Sequence, residues 1–262
     1  MEVASLLQKE FQSIQKNQPL SQLVSRLGDR KVVLIFDGEQ FAGVVEGKFL
    51  LKSTLNPSET KIADYVRKIP TITPQTDLRE TARLMVEAHT RLLPVAEGGV
   101  IIGVVRILDL LHTLSNQPEA GHLPVTSCKL VKASLQPSDS VSIALSTMFK
   151  NHVDRLPVVS DGKIVGIITE KDILRKWQLS SQKGEFSLPR RAQTRAFKTN
   201  IPSLKELPIS SFDTHVDVRI VRSTEMLGRA IEQMYQHNIN NILVEEDGLF
   251  VGLLAPLAIL QK

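Results

Sequence analysis

The sequence predicts an α/β fold made of one small unit repeated four times, and three observations carry that prediction. The stretch "MVEAHTRLLPVAEGGVIIGVVRILDLL" from Met85 matches "MFKNHVDRLPVVSDGKIVGIITEKDIL" from Met148 without a gap. At that offset of 63, Met85, His89, Pro94, Gly103 and Asp109 fall on Met148, His152, Pro157, Gly166 and Asp172. Another copy from Met234 lies a further 86 residues on, with Gly252 on Gly166, and a degraded copy near the N-terminus sets Gly43 at the same place. Inside each copy the apolar pattern changes from a helical period to short β-type runs. A repeat of this length decides the architecture before any single motif does.

Each element of the unit follows from its residues. Pro74, Leu78, Ala82 and Met85 correspond to Pro137, Val141, Leu145 and Met148, so a turn-forming proline precedes a helix in both copies. Val141, Ala144, Leu145 and Met148 share one helical face, and Leu227, Ala230, Ile231 and Met234 repeat the pattern. Two apolar runs follow, "LPVV" and "KIVGIIT", separated by Asp161-Gly162, a strong hairpin signal. A second helix begins near Thr169 and carries Ile173, Leu174 and Trp177. The unit reads strand, helix, strand, strand, helix, and its apolar sheet face needs a neighbouring unit to cover it.

The copies occupy residues 1–55 (degenerate), 56–116, 123–179 and 207–262 (degenerate), with a polar joint, "SNQPEAGH", between the second and third. The larger spacing before the last copy places an insertion of 23 residues between the third and fourth. It falls in a basic linker, 180–206, where Lys183, Arg190, Arg191, Arg195, Lys198 and Lys205 face only Glu185 and Glu206. This stretch holds a net +4, the formal charge of the whole chain. It reads either as a contact for phosphates of a nucleotide or nucleic acid, or as a solvated connector; no aromatic-interleaved pattern of the kind that nucleic-acid binding favours accompanies the charge.

The order of features in "RLPVVSDGKIVGIITEKDIL" resembles the cystathionine-β-synthase (CBS) domain: an apolar-Pro-Val strand, a turn, then Gly, two apolar residues, Thr, two residues and Asp. The third copy has the whole pattern and the second nearly so, and the resemblance extends over almost the whole chain. It implies four CBS repeats paired into two tandem (Bateman) modules that form a disk, with the short sheets of each module packing through their helices about a pseudo-twofold axis. A homodimer building the disk from two chains is the alternative. It also implies binding of adenosine-containing ligands, such as AMP, ADP, ATP or S-adenosylmethionine, in clefts between paired repeats.

Carried over to the third copy, the resemblance gives Asp172 the two ribose hydroxyls, and gives Thr169 and Arg155 the phosphate. Thr169 and Asp172 are three residues apart at a helix start, where both can face one cleft and free N–H groups and the helix dipole favour an anion. Thr169 is equally a helix N-cap, and Arg155 equally a surface arginine paired with a carboxylate. Ile167, on the strand leading to the motif, is grouped with them. The partner repeat is expected to line the adenine slot through Asn240, Asn241 and Ile242, largely by backbone groups. In the second copy Asp109 keeps the ribose role, but Arg106 replaces the threonine and either holds a phosphate or fills the pocket. The first copy has Glu46 and Phe49 at these positions and the fourth has Ala255 and Ala258, with Leu243 in place of the proline. One competent half-site per module is therefore expected. His89 and His152, at equivalent helix ends, read as partners of exposed carbonyls or as phosphate contacts.

Composition sets the remaining expectations. With 262 residues, 42% hydrophobic and 23% charged, the chain is an ordinary globular sequence. It has no apolar run of membrane-spanning length and no signal-like start, which places it in the cytoplasm. Cys128 is the single cysteine and reads as a small buried residue, and His112, His122, His215 and His237 are too scattered for a metal site. No phosphate loop, nucleophile elbow or metal-binding helix motif is present, so no catalytic residue, cofactor or metal is expected and the chain reads as a non-enzyme. The leading function is a regulatory adenosine-ligand sensor that signals to an unidentified effector protein. The alternative is a scaffold, or a nucleic-acid-associated protein using the basic linker, although nucleic acid is not the favoured partner.

Overall fold

The computed structural model describes residues 2–19, 22–23, 32–47, 61–116, 122–182, 204–214 and 218–262, with backbone alone at 177–182. These residues form four α/β repeats. The first contributes β1 (Ser13–Gln15), β2 (Val32–Asp37) and β3 (Gln40–Glu46). The second contributes α1 (Leu78–Glu87), β4 (Leu92–Glu97), β5 (Val100–Arg106) and α2 (Ile107–Ser115). The third has α3 (Val141–Lys150), β6 (Arg155–Ser160), β7 (Lys163–Thr169) and α4 (Glu170–Gln182). The fourth has β8 (Ile220–Arg222), α5 (Leu227–Gln236), β9 (Ile242–Glu246), β10 (Leu249–Leu254) and α6 (Pro256–Leu260).

Every repeat holds the same hairpin in the same register. Ile35, Val95, Val158 and Val244 pair with Gly43, Gly103, Gly166 and Gly252 respectively, and each ladder shifts register beside that pair. Asp161-Gly162, with φ of 51° and 76°, makes the left-handed two-residue turn that matches strand twist. In the first and fourth repeats a parallel edge strand completes the sheet, β1 on β2 and β8 on β9. In the second and third it shrinks to single bridges, Ile72 to Val95 and Leu135 to Val158.

The first helix of the second, third and fourth repeats ends by one device. His89, His152 and Asn238 adopt φ of 45°, 54° and 50°. The next residue donates back to the core methionine: Thr90 N–H to Met85 O at 3.0 Å, Val153 N–H to Met148 O at 3.0 Å, Ile239 N–H to Met234 O at 2.9 Å. This is the Schellman arrangement, which satisfies carbonyls the helix leaves open. The His89 and His152 backbones thus serve the helix end, and their rings stack at 4.8 Å between centroids.

Each repeat opens with a short 3₁₀ turn absent from the sequence reading: Val3–Leu6, Ile62–Tyr65, Val125–Ser127 and Ile209–Ser211. Each turn starts on a fully buried aliphatic residue, Val3, Ile62, Val125 or Ile209. These lead-in segments cross to the other repeat of the module. Gln8 exchanges two 2.9 Å hydrogen bonds with Val104 of the second repeat, and Arg67 exchanges two with Val44 of the first. Val131 does the same with Leu253, while Thr214 O accepts from Ile167 N–H at 2.8 Å. The crossing explains the repeated glycine. A Cβ at Gly103 would lie 2.7 Å from Gln8 O, and one at Gly166 would lie 2.7 Å from Thr214 O. Gly43 and Gly252 meet the lead-ins of their partners in the same way.

This exchange pairs the first repeat with the second and the third with the fourth, and it corrects one expectation. Within a module the sheets face each other, β3 against β5 and β7 against β10, whereas helices pack between modules, α2 against α5 and α1 and α2 against α6. The lead-in segments bond the edges of β3, β5, β7 and β10 through their backbones, and so hold the two hairpins of a module together while the helices meet across modules. The resulting core joins Leu110 and Leu111 of α2 to Leu227, Ile231 and Met234 of α5 and Ile259 of α6. On the other side, Glu170 and Leu174 of α4 reach Gly47 of the first repeat. One chain supplies all four repeats of the disk.

The basic stretch from Lys183 to Lys198 lies outside the described residues, as do Phe49 and His215. α4 continues to Gln182, into the range read as linker, and a turn at Leu204–Glu206 packs on α3 before the expected start of the fourth repeat.

Candidate functional site

The third repeat brings three of the expected residues together. Arg155 and Thr169 are direct cross-strand partners in the β6–β7 ladder, so both side chains emerge on one face of the hairpin. Thr169 ends β7, and α4 begins at the next residue. Asp172 Oδ2 accepts from Thr169 N–H at 2.9 Å and lies 2.6 Å from Thr169 Oγ1, while Asp172 N–H donates to Thr169 Oγ1 at 3.2 Å. This is a reciprocal capping box with Asp in place of Glu. Thr169 therefore caps the helix, and the same bonds hold the Asp172 carboxylate at the mouth of the hairpin. Arg155 is mostly buried, and among the described residues its polar side-chain contact is a long one, 3.5 Å, to Asp154. Ile167 is buried, with its N–H held by the lead-in of the fourth repeat.

The second repeat builds a different head on the same frame. Arg106 donates from Nε to Asp109 Oδ2 at 2.8 Å and from Nη2 to Oδ1 at 2.7 Å, so its guanidinium fork covers both carboxylate oxygens. Asp109 is buried and Arg106 half-exposed. The hydrogen bonds that Arg106 donates to Asp109, together with the charge of Asp109, raise the Arg106 pKa above its ordinary value in spite of partial burial. Beside this pair opens a cleft of about 450 Å³. The lead-in Gln8 and Gln12, Val32 and Leu34 of the first repeat, and Arg91 line it. Asn238 and Asn240 of the other module complete the wall.

Asn240 thus belongs to the cleft headed by Arg106, and the expected adenine-slot residues divide. Asn240 Nδ2 donates to Asp154 Oδ2 at 3.2 Å, Asn241 Oδ1 lies 3.5 Å from Asp154 N–H, and Ile242 is fully buried in the core shared by the second and fourth repeats. In the first repeat, Glu46 is buried and paired with Arg67, whose Nη1 also donates to Ala88 O at 2.7 Å. In the fourth, Ala255 precedes α6 with no side-chain cap, so neither position offers a carboxylate to a ligand.

At the centre of the disk lies a charged hub that the sequence reading missed. Arg91 Nη1 donates to Asp154 Oδ2 at 2.8 Å, with Arg91 only 10% and Asp154 1% exposed. Burial alone would lower the Arg91 pKa, but the charges of Asp154, Glu46 and Glu170 outweigh it and hold the guanidinium above its ordinary value. Arg91, Asp154 and Asn240 occupy one repeat position, at the offsets of 63 and 86, two residues after the stacked or left-handed helix end. The signal was present in the alignment of the copies. Among the described residues no group of three or more His, Cys, Asp or Glu could hold a metal, and no helix is long and apolar enough to cross a membrane.

Comparison with known proteins agrees with the fold. The CBS domain model matches residues 62–116 and 122–178. An uncharacterized 33.4 kDa protein in a ribosomal RNA operon of Thermofilum pendens is 25% identical over 89% of this chain and 74% of its own length. Among solved structures, protein MJ1225 of Methanocaldococcus jannaschii, proposed as an archaeal homologue of g-AMPK, superposes with a TM-score of 0.83 at 14% identity, covering 100% of this chain and 99% of the other. An uncharacterized conserved protein of Pyrococcus horikoshii covers the same shares with a TM-score of 0.64 at 16% identity. The two central repeats, 62–116 and 122–178, are CBS domains, and the fold around them is that of tandem CBS modules.

Proposed function

We propose that this chain is a sensor of adenosine-containing ligands, binding them in the clefts headed by Asp172 and Asp109 and passing occupancy to an effector protein. CBS-domain proteins are regulatory, and what favours a small-molecule site here is the third repeat. There a carboxylate is fixed by a capping box at a helix start, beside a mostly buried arginine whose polar contact among the described residues is long. A ribose needs an acceptor for its hydroxyls and a phosphate needs a cation, and Asp172 and Arg155 are the acceptor and the cation of this arrangement. AMP, ADP, ATP and S-adenosylmethionine share the ribose, so Asp172 alone does not choose among them. Isothermal titration of the full chain with these four ligands tests the reading: at least one should bind saturably, and a flat thermogram for all four would refute it.

A further inference from the structure

A groove of about 880 Å³ opens where helices of the second and fourth repeats meet across the modules, and its lining includes neither Asp109 nor Asp172. Leu111 of α2, Leu227 and Ile231 of α5 and Ile259 of α6 are its deeply buried floor, and Ala82 and Val86 of α1 its half-buried wall. Leu123, 36% exposed, extends the apolar surface at the rim. The charged side chains on the groove are Arg79, Arg83 and Lys262 against Glu87. Arg83 is already held between Glu80 and Glu87, whereas Arg79 and Lys262 are in no ion pair among the described residues. The charge left to offer is positive.

The internal repeat shows what covers the equivalent surface of the third repeat. At the start of α3, Leu207 O accepts from Val141 N–H at 2.9 Å and Asp139 O from Ile209 N–H at 2.8 Å; at the start of α5, Leu123 O accepts from Leu227 N–H at 2.7 Å and Glu225 O from Val125 N–H at 2.9 Å. The two lead-ins therefore correspond residue by residue, and Leu204 corresponds to Ala120. Leu204, 9% exposed, belongs to the one-turn segment packed on α3, in one apolar cluster with Val141 and Leu145, the equivalents of Leu227 and Ile231. Ala120 lies outside the described residues, and the stretch from Gln117 to Gly121 has no large apolar side chain with which to cover Leu227 and Ile231. We infer that the groove receives an amphipathic helical segment of a partner protein, with leucine-type side chains on Leu227 and Ile231 and carboxylates toward Arg79 and Lys262. A groove between helices takes the i, i+4, i+7 face of such a segment, and exposed apolar surface of this kind marks interaction sites. The wall from Arg79 to Glu87 is about 12 Å long, enough for two helical turns. The segment would touch both modules, and its docking stands apart from the adenosine reading because it uses no residue of either aspartate cleft.

The test is fluorescence anisotropy of the full chain with a labelled synthetic helical peptide of about 12 residues, with leucines at i, i+4 and i+7 and glutamates on its other face. A second peptide carries lysines in place of the glutamates. The acidic peptide should bind saturably and at least tenfold more tightly than the basic one. Ala82→Trp, which fills the groove from its wall, should weaken that binding at least tenfold, and Arg79→Glu should bring the two peptides within about threefold of each other. Thermal melts establish that each variant is folded, and Arg79→Glu, at an exposed position, carries the test if Ala82→Trp does not fold. Absence of saturable binding, equal affinity of the unaltered chain for both peptides, or binding untouched by the folded variants overturns the inference. So does a dimer in sedimentation that Ala82→Trp dissociates, which assigns the groove to a second copy of the chain, or flotation with phosphatidylglycerol vesicles that Ala82→Trp abolishes, which assigns it to a lipid surface.

Discussion

Asp172 joins an observed structural role to the proposed ligand chemistry. Its Oδ2 closes the capping box, and truncation to Ala removes that bond along with the proposed ribose acceptors. Each hydrogen bond to a charged group contributes about 1.5–3 kcal/mol, so affinity for an adenosine ligand should fall at least tenfold in Asp172→Ala. Asp172→Glu, which retains the carboxylate on a longer stem, separates the two roles: by circular dichroism the helix should melt near the unaltered temperature, while titration should still show weakened binding. Cys128 makes a contrasting residue-scale case. It is 5% exposed and its thiol pKa is raised, chiefly by burial. Iodoacetamide should therefore leave the native chain almost unmodified and label it fully in urea; rapid labelling of the native protein would contradict its buried position.

At the scale of elements, the repeated glycine joins sequence to packing. The four aligned glycines were legible as a repeat, but their physical cause was not, because the atoms they avoid belong to the lead-in segment of the other repeat in the module, which is distant in the chain. Those segments are short 3₁₀ turns with one buried aliphatic residue each, too brief for a periodicity to register. The long amphipathic helices and the Asp-Gly turn were legible because their signals are local. Gly166→Ala would force Thr214 or β7 to move, and overpacking of this kind costs about 1–3 kcal/mol. Urea unfolding should shift accordingly, whereas Gly248→Ala, at a turn with open space around it but a φ of 78°, should act through backbone strain alone. Equal effects on the contact between the third and fourth repeats from both substitutions, read by hydrogen exchange at Ile167, would argue against the packing explanation.

For the whole molecule, the hub ties three repeats together at one carboxylate. Asp154 accepts from Arg91 of the second repeat and Asn240 of the fourth. Removing one member of a buried pair strands the other, so Asp154→Ala should cost about 3–5 kcal/mol in denaturant unfolding, and the joint replacement Arg91→Met with Asp154→Leu should recover most of it. Which repeats would pair was legible from the unit's uncovered sheet face. Which faces would meet was not, because sheets pack within modules and helices between them only once the lead-ins have crossed. The site was legible where the motif stands intact, at Thr169 and Asp172. It was less so at Arg106, where a substitution's outcome depends on which way a long side chain folds, and at Asn240, whose cleft belongs to the opposite module.

The central claim is that two of the four repeats, and only two, present a carboxylate able to hold an adenosine ligand. Native mass spectrometry of the full chain with excess adenine nucleotide measures this directly. The account predicts saturation at two nucleotides per chain, falling to one in Asp172→Ala. No bound nucleotide, or three or four that persist in Asp172→Ala combined with Asp109→Ala, would contradict it.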